Sequence, residues 1–143
     1  MAAFDDFIEA VYAHAGLSER EQELVIHSVA SATGARYVWH QHVWLSKDLG
    51  ITDAEIEVIS RGGRMEFTAL ERALIAYARG VATDQVSDRL HEWVAAYLST
   101  DTLVGLSMVV CTYEATACLL AALDIKIEAG EEFGTTTRKC FLS

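Results

Sequence analysis

Proline is absent from this chain of 143 residues, where average usage would supply about seven. No helix can therefore be ended by a proline ring, and helix ends must be set by side-chain caps and by glycine. Basic residues are also scarce: 11 Lys and Arg stand against 21 Asp and Glu, a formal net charge of −10 at pH 7. Nucleic-acid binding needs clustered cations to neutralise phosphates, and no cluster exists, so that partner class is excluded. An anionic substrate would need a local cation to offset the overall field. The three cysteines, Cys111, Cys118 and Cys140, do not make a disulfide framework. Cys111 and Cys118 share a helix face about 10 Å apart along the axis, beyond disulfide reach. They are expected to be small core residues in a reducing compartment. No basic-then-apolar leader is present, and no apolar run has both the length and the purity of a membrane span. The chain is accordingly expected to be cytoplasmic, with no membrane partner.

What is present is helical patterning throughout. Ser18-x-x-Glu21, Thr52-x-x-Glu55 and Thr68-x-x-Glu71 read as capping boxes, in which a hydroxyl and a carboxylate satisfy orphan backbone N–H groups. Gly16, Gly34 and Gly50 sit where helices should stop. Between these marks, Phe4, Ile8, Val11 and Tyr12 make one apolar stripe. Leu70, Ala73, Leu74 and Tyr77 recur in a helix of roughly residues 66–82, and Leu90, Trp93, Val94 and Tyr97 in one of about residues 87–98. Leu103 to Leu123 is apolar nearly all round and reads as a central buried helix, because Gly105, Ser107, Thr112, Glu114 and Thr116 make it too polar for lipid. No stretch alternates with period two between turn signals, so strands are not expected. Residues 1–143 read as one all-α domain, with a core at 17–128 and a polar, loosely held tail at 130–143. About 55 % of residues are apolar when glycine is counted and tyrosine left out, against a usual ~45–50 %. A chain this short cannot hide all of that surface, so self-association is expected.

The most informative stretch is residues 36–59, RYVWHQHVWLSKDLGITDAEIEVI. An aromatic-rich helix carrying His42 ends at Gly50, and an acidic helix follows at once. On the first helix Val38, His42, Leu45 and Leu49 share a face, which aims the imidazole into an apolar groove, where it needs a hydrogen-bond partner. His40 and His42 point about 200° apart, so they cannot share a metal ion. Glu23 and His27 have the spacing to meet, but one carboxylate and one histidine are too few for a stable site, so no metal is expected.

With LSEREQELVI before it, this segment resembles the carboxymuconolactone decarboxylase family, whose peroxidase branch is similar to the alkylhydroperoxidase AhpD. The resemblance covers roughly residues 17–128 and implies an AhpD-like bundle of about six to seven helices that forms trimers, dimers or hexamers. The peroxidase branch carries a glutamate twelve residues before the first cysteine of a Cys-x-x-Cys pair, then a histidine. Here the glutamate position is Glu23 and the histidine is His42, but Ala35 and Val38 replace the cysteines. A thiol mechanism needs an attacking thiolate and a resolving thiol, so peroxidase activity by that route is not expected. The decarboxylase branch is similar in needing neither metal nor organic cofactor. That resemblance implies a lyase acting on a small cyclic, lactone-type acid, with His42 donating a proton and Glu23 orienting it. A carboxylate neighbour favours the charged imidazole and burial the neutral one, a balance suited to acid–base work. Tyr37, Trp39 and Tyr113 are candidates for the pocket wall, and Arg36 for a substrate carboxylate. Many relatives also carry glutamate where Val38 stands here. Ala121 and Asp124 replace an asparagine and a glycine in the segment CLLAALDI. These departures support the alternative of a non-catalytic oligomeric ligand-binding or scaffold protein.

Overall fold

The computed structural model describes residues 2–64 and 66–127. The tail expected at 130–143, with Cys140, lies outside the described residues. Among them are seven helices: α1 (Ala2–His14), α2 (Glu19–Thr33), α3 (Arg36–Asp48), α4 (Asp53–Ser60), α5 (Ala69–Ala82), α6 (Asp88–Ala95) and α7 (Thr100–Ala122). All three expected capping boxes form, at the starts of α2, α4 and α5. Ser87 and Ser99 cap α6 and α7 through their hydroxyls, without a reciprocal carboxylate. The tightest turn is at Gly34, whose φ of 69° lets α2 stop and α3 begin two residues later.

The central helix is α2, and this corrects the expectation for residues 103–123. Every residue of α2 from Gln22 to Ala30 is buried, because α3, α4, α5 and α7 all pack around it. By contrast α7 buries only one face, formed by Gly105, Leu106, Val109, Val110, Thr112 and Tyr113. Uniform apolarity carries no angular information, so the sequence of α7 could not tell which face is covered. Among the described residues it is the one helix long and apolar enough to span a membrane by length and composition. Its inner face nonetheless packs on α1, α2, α3, α5 and α6.

Two further expectations are corrected. Cys111 and Cys118 are exposed, not core, because both lie on the outer side of α7. Tyr97 is 45 % exposed, since α6 ends at Ala95 and the chain turns to start α7 at the Ser99 cap.

The main core joins Val25, Ile26 and Val29 of α2 to Leu74 and Tyr77 of α5 and to Leu106, Val109 and Val110 of α7. A second cluster gathers Leu24, Ile51, Ile56, Ile59, Phe67 and Ile75 around α4. Arg20 ties the two ends together. Its Nε donates to Glu71 at 2.8 Å and its Nη2 to Glu55 at 2.5 Å, so one guanidinium joins two capping-box carboxylates. Gly105 sets how closely α1 approaches α7, because an added Cβ would stand 2.2 Å from the Ala15 carbonyl oxygen.

A buried histidine and carboxylate between α2 and α3

The candidate site lies where α2 and α3 cross beneath α7. Helix α2 presents Glu23 and His27, one turn apart; α3 presents His42 and Ser46, also one turn apart. Each pair shares a helix face. His42 Nδ1 lies 2.9 Å from Glu23 Oε2 and 3.1 Å from Oε1. An ionised carboxylate only accepts, so Nδ1 carries the proton of this bond and Nε2 is left as the second ring position. Ser46 Oγ donates to Glu23 Oε2 at 3.2 Å, and His27 Nε2 stands 2.7 Å from the same hydroxyl. All four side chains are buried; His42 is the most accessible, at 6 %.

A second layer comes from α1 and α7. The Tyr113 ring meets the His42 ring edge to face, with centroids 5.1 Å apart. The Tyr113 hydroxyl hydrogen-bonds that of Tyr12. Burial pushes both phenols well above the ordinary tyrosine range; the nearby charge of Glu23 adds to this, and for Tyr12 so does Tyr113. Both therefore stay protonated at neutral pH and can act as hydroxyl donors. Burial pushes His27 down to about 4, against the opposing pull of Glu23, so its ring is neutral at pH 7.

The residues singled out from the sequence fall into two groups. Glu23, His42 and Tyr113 come together as described. Arg36 and Trp39 instead line an open groove of about 360 Å³ along the first turns of α3, with Ala35, His40, Ser31 and Ser60. Among the described residues this groove does not include Glu23 or His42. The Trp39 ring reaches inward to meet His27 edge to face, with centroids 4.7 Å apart, and so stands between groove and site. Tyr37 is half-buried and belongs to neither set of lining residues. Val38 packs in the core at 3 % exposure. Ala121 and Asp124 are exposed at the far end of α7, where Asp124 takes a left-handed φ of 51°. Sequence reasoning gave Ser46, His27 and Tyr12 no role. Two of these were within reach, since each lies one helical turn from a residue already identified. The contact of Tyr12 with Tyr113 spans 101 positions in the chain and had no local signal. Among the described residues, no set of three or more His, Cys, Asp or Glu is placed to hold a metal ion.

Residues 1–80, which contain Glu23, Ala35, Val38 and His42, match the model of the carboxymuconolactone decarboxylase family. No curated protein matches the sequence. A protein of unknown function from Agrobacterium tumefaciens, provisionally assigned as the antioxidant defence protein AhpD, has a similar crystal structure. The TM-score is 0.77 at 18 % identity, over 85 % of this chain and 88 % of that one. At this identity the likeness establishes a shared AhpD-like fold.

Proposed function

This chain belongs to the carboxymuconolactone decarboxylase family, and on that premise we propose that it is a cofactor-independent lyase that decarboxylates a small cyclic, lactone-type acid. The observation that carries the reading is the buried bond between His42 Nδ1 and the Glu23 carboxylate. It holds the imidazole with Nε2 directed away from Glu23, as a proton donor requires. In the reaction the bond between the ring carbon and the carboxylate breaks and carbon dioxide leaves. The electron pair passes into the conjugated lactone carbonyl, and His42 Nε2 returns a proton to carbon. A proton from solvent then restores the imidazolium. The neutral Tyr12–Tyr113 pair uses one hydroxyl proton in its own bond and leaves the other as a donor for the enolate oxygen, whose stabilisation in a dry site lowers the barrier most.

A thiol peroxidase is the weaker reading. Ala35 and Val38 stand where the thiols belong, Cys111 and Cys118 face outward on α7, and burial raises the Cys111 thiol. A non-catalytic role has one specific observation in its favour: His42 is only 6 % exposed, and the groove at Arg36 is lined by other residues. The test is carbon dioxide release from carboxymuconolactone and a panel of small lactone acids, comparing the native chain with His42→Gln. Release that His42→Gln abolishes supports the lyase; no release from any acid supports the non-catalytic reading.

Self-association through the outer face of α7 belongs to the same reading. Val104, Met108, Cys111, Ala115, Cys118 and Ala122 are all exposed and recur at alternating spacings of four and three, the seam of a helix pair. The order of spacings is the same read in either direction, so a second copy of this chain fits antiparallel about a twofold axis. That pairing sets the acidic first turn of one copy, at Asp101, near the end of the other that carries Lys126.

A further inference from the structure

The buried His27 and Ser46 have no part in the proton transfer just described, yet their geometry departs from the rest of the fold. A serine or threonine inside a helix commonly donates to the carbonyl four residues back. In this protein Ser28 donates to Leu24, Thr33 to Val29, Ser107 to Leu103, Thr112 to Met108 and Thr116 to Thr112. Ser46 does not follow them. Its hydroxyl instead donates across to Glu23 Oε2 on another helix.

The protons in this cluster can be counted. Glu23 accepts only, so the single hydroxyl proton of Ser46 points at Glu23. The 2.7 Å contact between Ser46 Oγ and His27 Nε2 then needs its proton from His27. A neutral His27 has one N–H, which must sit on Nε2, and its Nδ1 is a bare acceptor. That nitrogen is fully buried and has no hydrogen-bond partner. An unpaired buried acceptor is destabilising, so stability alone does not account for this ring.

We infer that His27 and Ser46 are positioning residues for His42: the His27 Nε2–H holds the Ser46 hydroxyl on Glu23, and the fixed carboxylate keeps the His42 proton on Nδ1. Trp39, packed edge-on against His27, keeps that ring in place. The inference rests on the lyase reading for its purpose, but its geometric content stands apart from activity.

Two substitutions of His27 separate this role from a merely structural one. His27→Gln keeps an N–H donor for Ser46, and His27→Leu removes both the donor and the unpaired acceptor. For His27→Leu the account expects a thermal midpoint equal to or above that of the native protein. With the lactone acid as substrate, kcat falls about tenfold, the upper size of one lost neutral hydrogen bond, at nearly constant KM. His27→Gln restores most of kcat. Side-chain ¹⁵N NMR of labelled protein is the second readout. Recorded at a pH high enough for the ring to be neutral, the native His42 signals should report one tautomer with the proton on Nδ1, and both His27→Leu and Ser46→Ala should give a mixture. An unchanged His42 tautomer in both variants overturns the inference, as does a large fall in thermal midpoint for His27→Leu with an unchanged kcat. If the native protein releases no carbon dioxide from any acid, the lyase reading fails instead, and the tautomer measurement alone decides this one.

Discussion

Replacing Glu23 by leucine tests whether the buried carboxylate is bonded as the structure has it. Glu23 is 4 % exposed and accepts hydrogen bonds from His42 and from Ser46. Glu23→Leu leaves two buried donors, each costing about 1–3 kcal/mol when unpaired. The leucine side chain recovers about 1.5–3 kcal/mol of that by its own burial. We expect a net loss of about 1–3 kcal/mol, which for a domain of this size lowers the thermal midpoint by roughly 2–12 °C. The assay is urea denaturation followed by far-UV circular dichroism, with thermal melts alongside. The double variant Glu23→Leu/His42→Leu should recover most of the loss, because replacing both partners of a buried hydrogen bond by apolar groups is close to neutral. A single variant within about 0.5 kcal/mol of the native protein, the scatter of ordinary surface changes, would refute the reasoning. So would a double variant less stable than the sum of its parts.

Three further outcomes follow from other parts of the fold. Gly105→Ala should destabilise the protein by about 1–3 kcal/mol, since the new Cβ meets the Ala15 carbonyl at 2.2 Å; equilibrium unfolding measures it, and an unchanged midpoint contradicts the close approach of α1 and α7. Burial pushes the Glu55 and Glu71 carboxyls up, but Arg20 and their capping hydrogen bonds outweigh it and hold both below the ordinary range. Groups with lowered values stabilise above the unfolded carboxylate value, near ~4.3, and lose that contribution as pH falls through the folded values. Stability should therefore fall below about pH 4 less steeply in Arg20→Met than in the native protein; parallel acid titrations of the two would count against the network. Finally, light scattering should find the native chain self-associated at micromolar concentration and Met108→Glu monomeric, while a native monomer removes the α7 seam from the account.

The capping boxes made the starts of α2, α4 and α5 legible, because hydroxyl and carboxylate spacing is a local signal that the backbone must answer. The pairing of Glu23 with His42 was legible for a different reason: family resemblance supplied the positions, and helical periodicity then put His42 on an inward face. What stayed hidden was angular and long-range. An all-apolar α7 gave no clue to its covered side, so Cys111 and Cys118 were placed in the core when they face outward. Conversely α2, with Glu, Gln, His and Ser among its residues, reads as a half-exposed helix and is buried throughout from Gln22 to Ala30. Its polar groups are tolerated inside because Glu23 and His27 find partners on α3, Gln22 donates to the Tyr12 and Leu17 carbonyls, and Ser28 donates within its own helix. Arg36 lies about 120° around α3 from His42, and Trp39 faces the groove while its ring closes against His27, so adjacency along the chain did not become adjacency in one pocket.

The deciding experiment is a single-turnover reaction of ¹³C-labelled carboxymuconolactone with the native protein and with His42→Gln. If an imidazole steered by Glu23 performs the chemistry, labelled carbon dioxide appears with the former and drops by two or more orders of magnitude with the latter. Equal release from both proteins would mean that His42 does not take part.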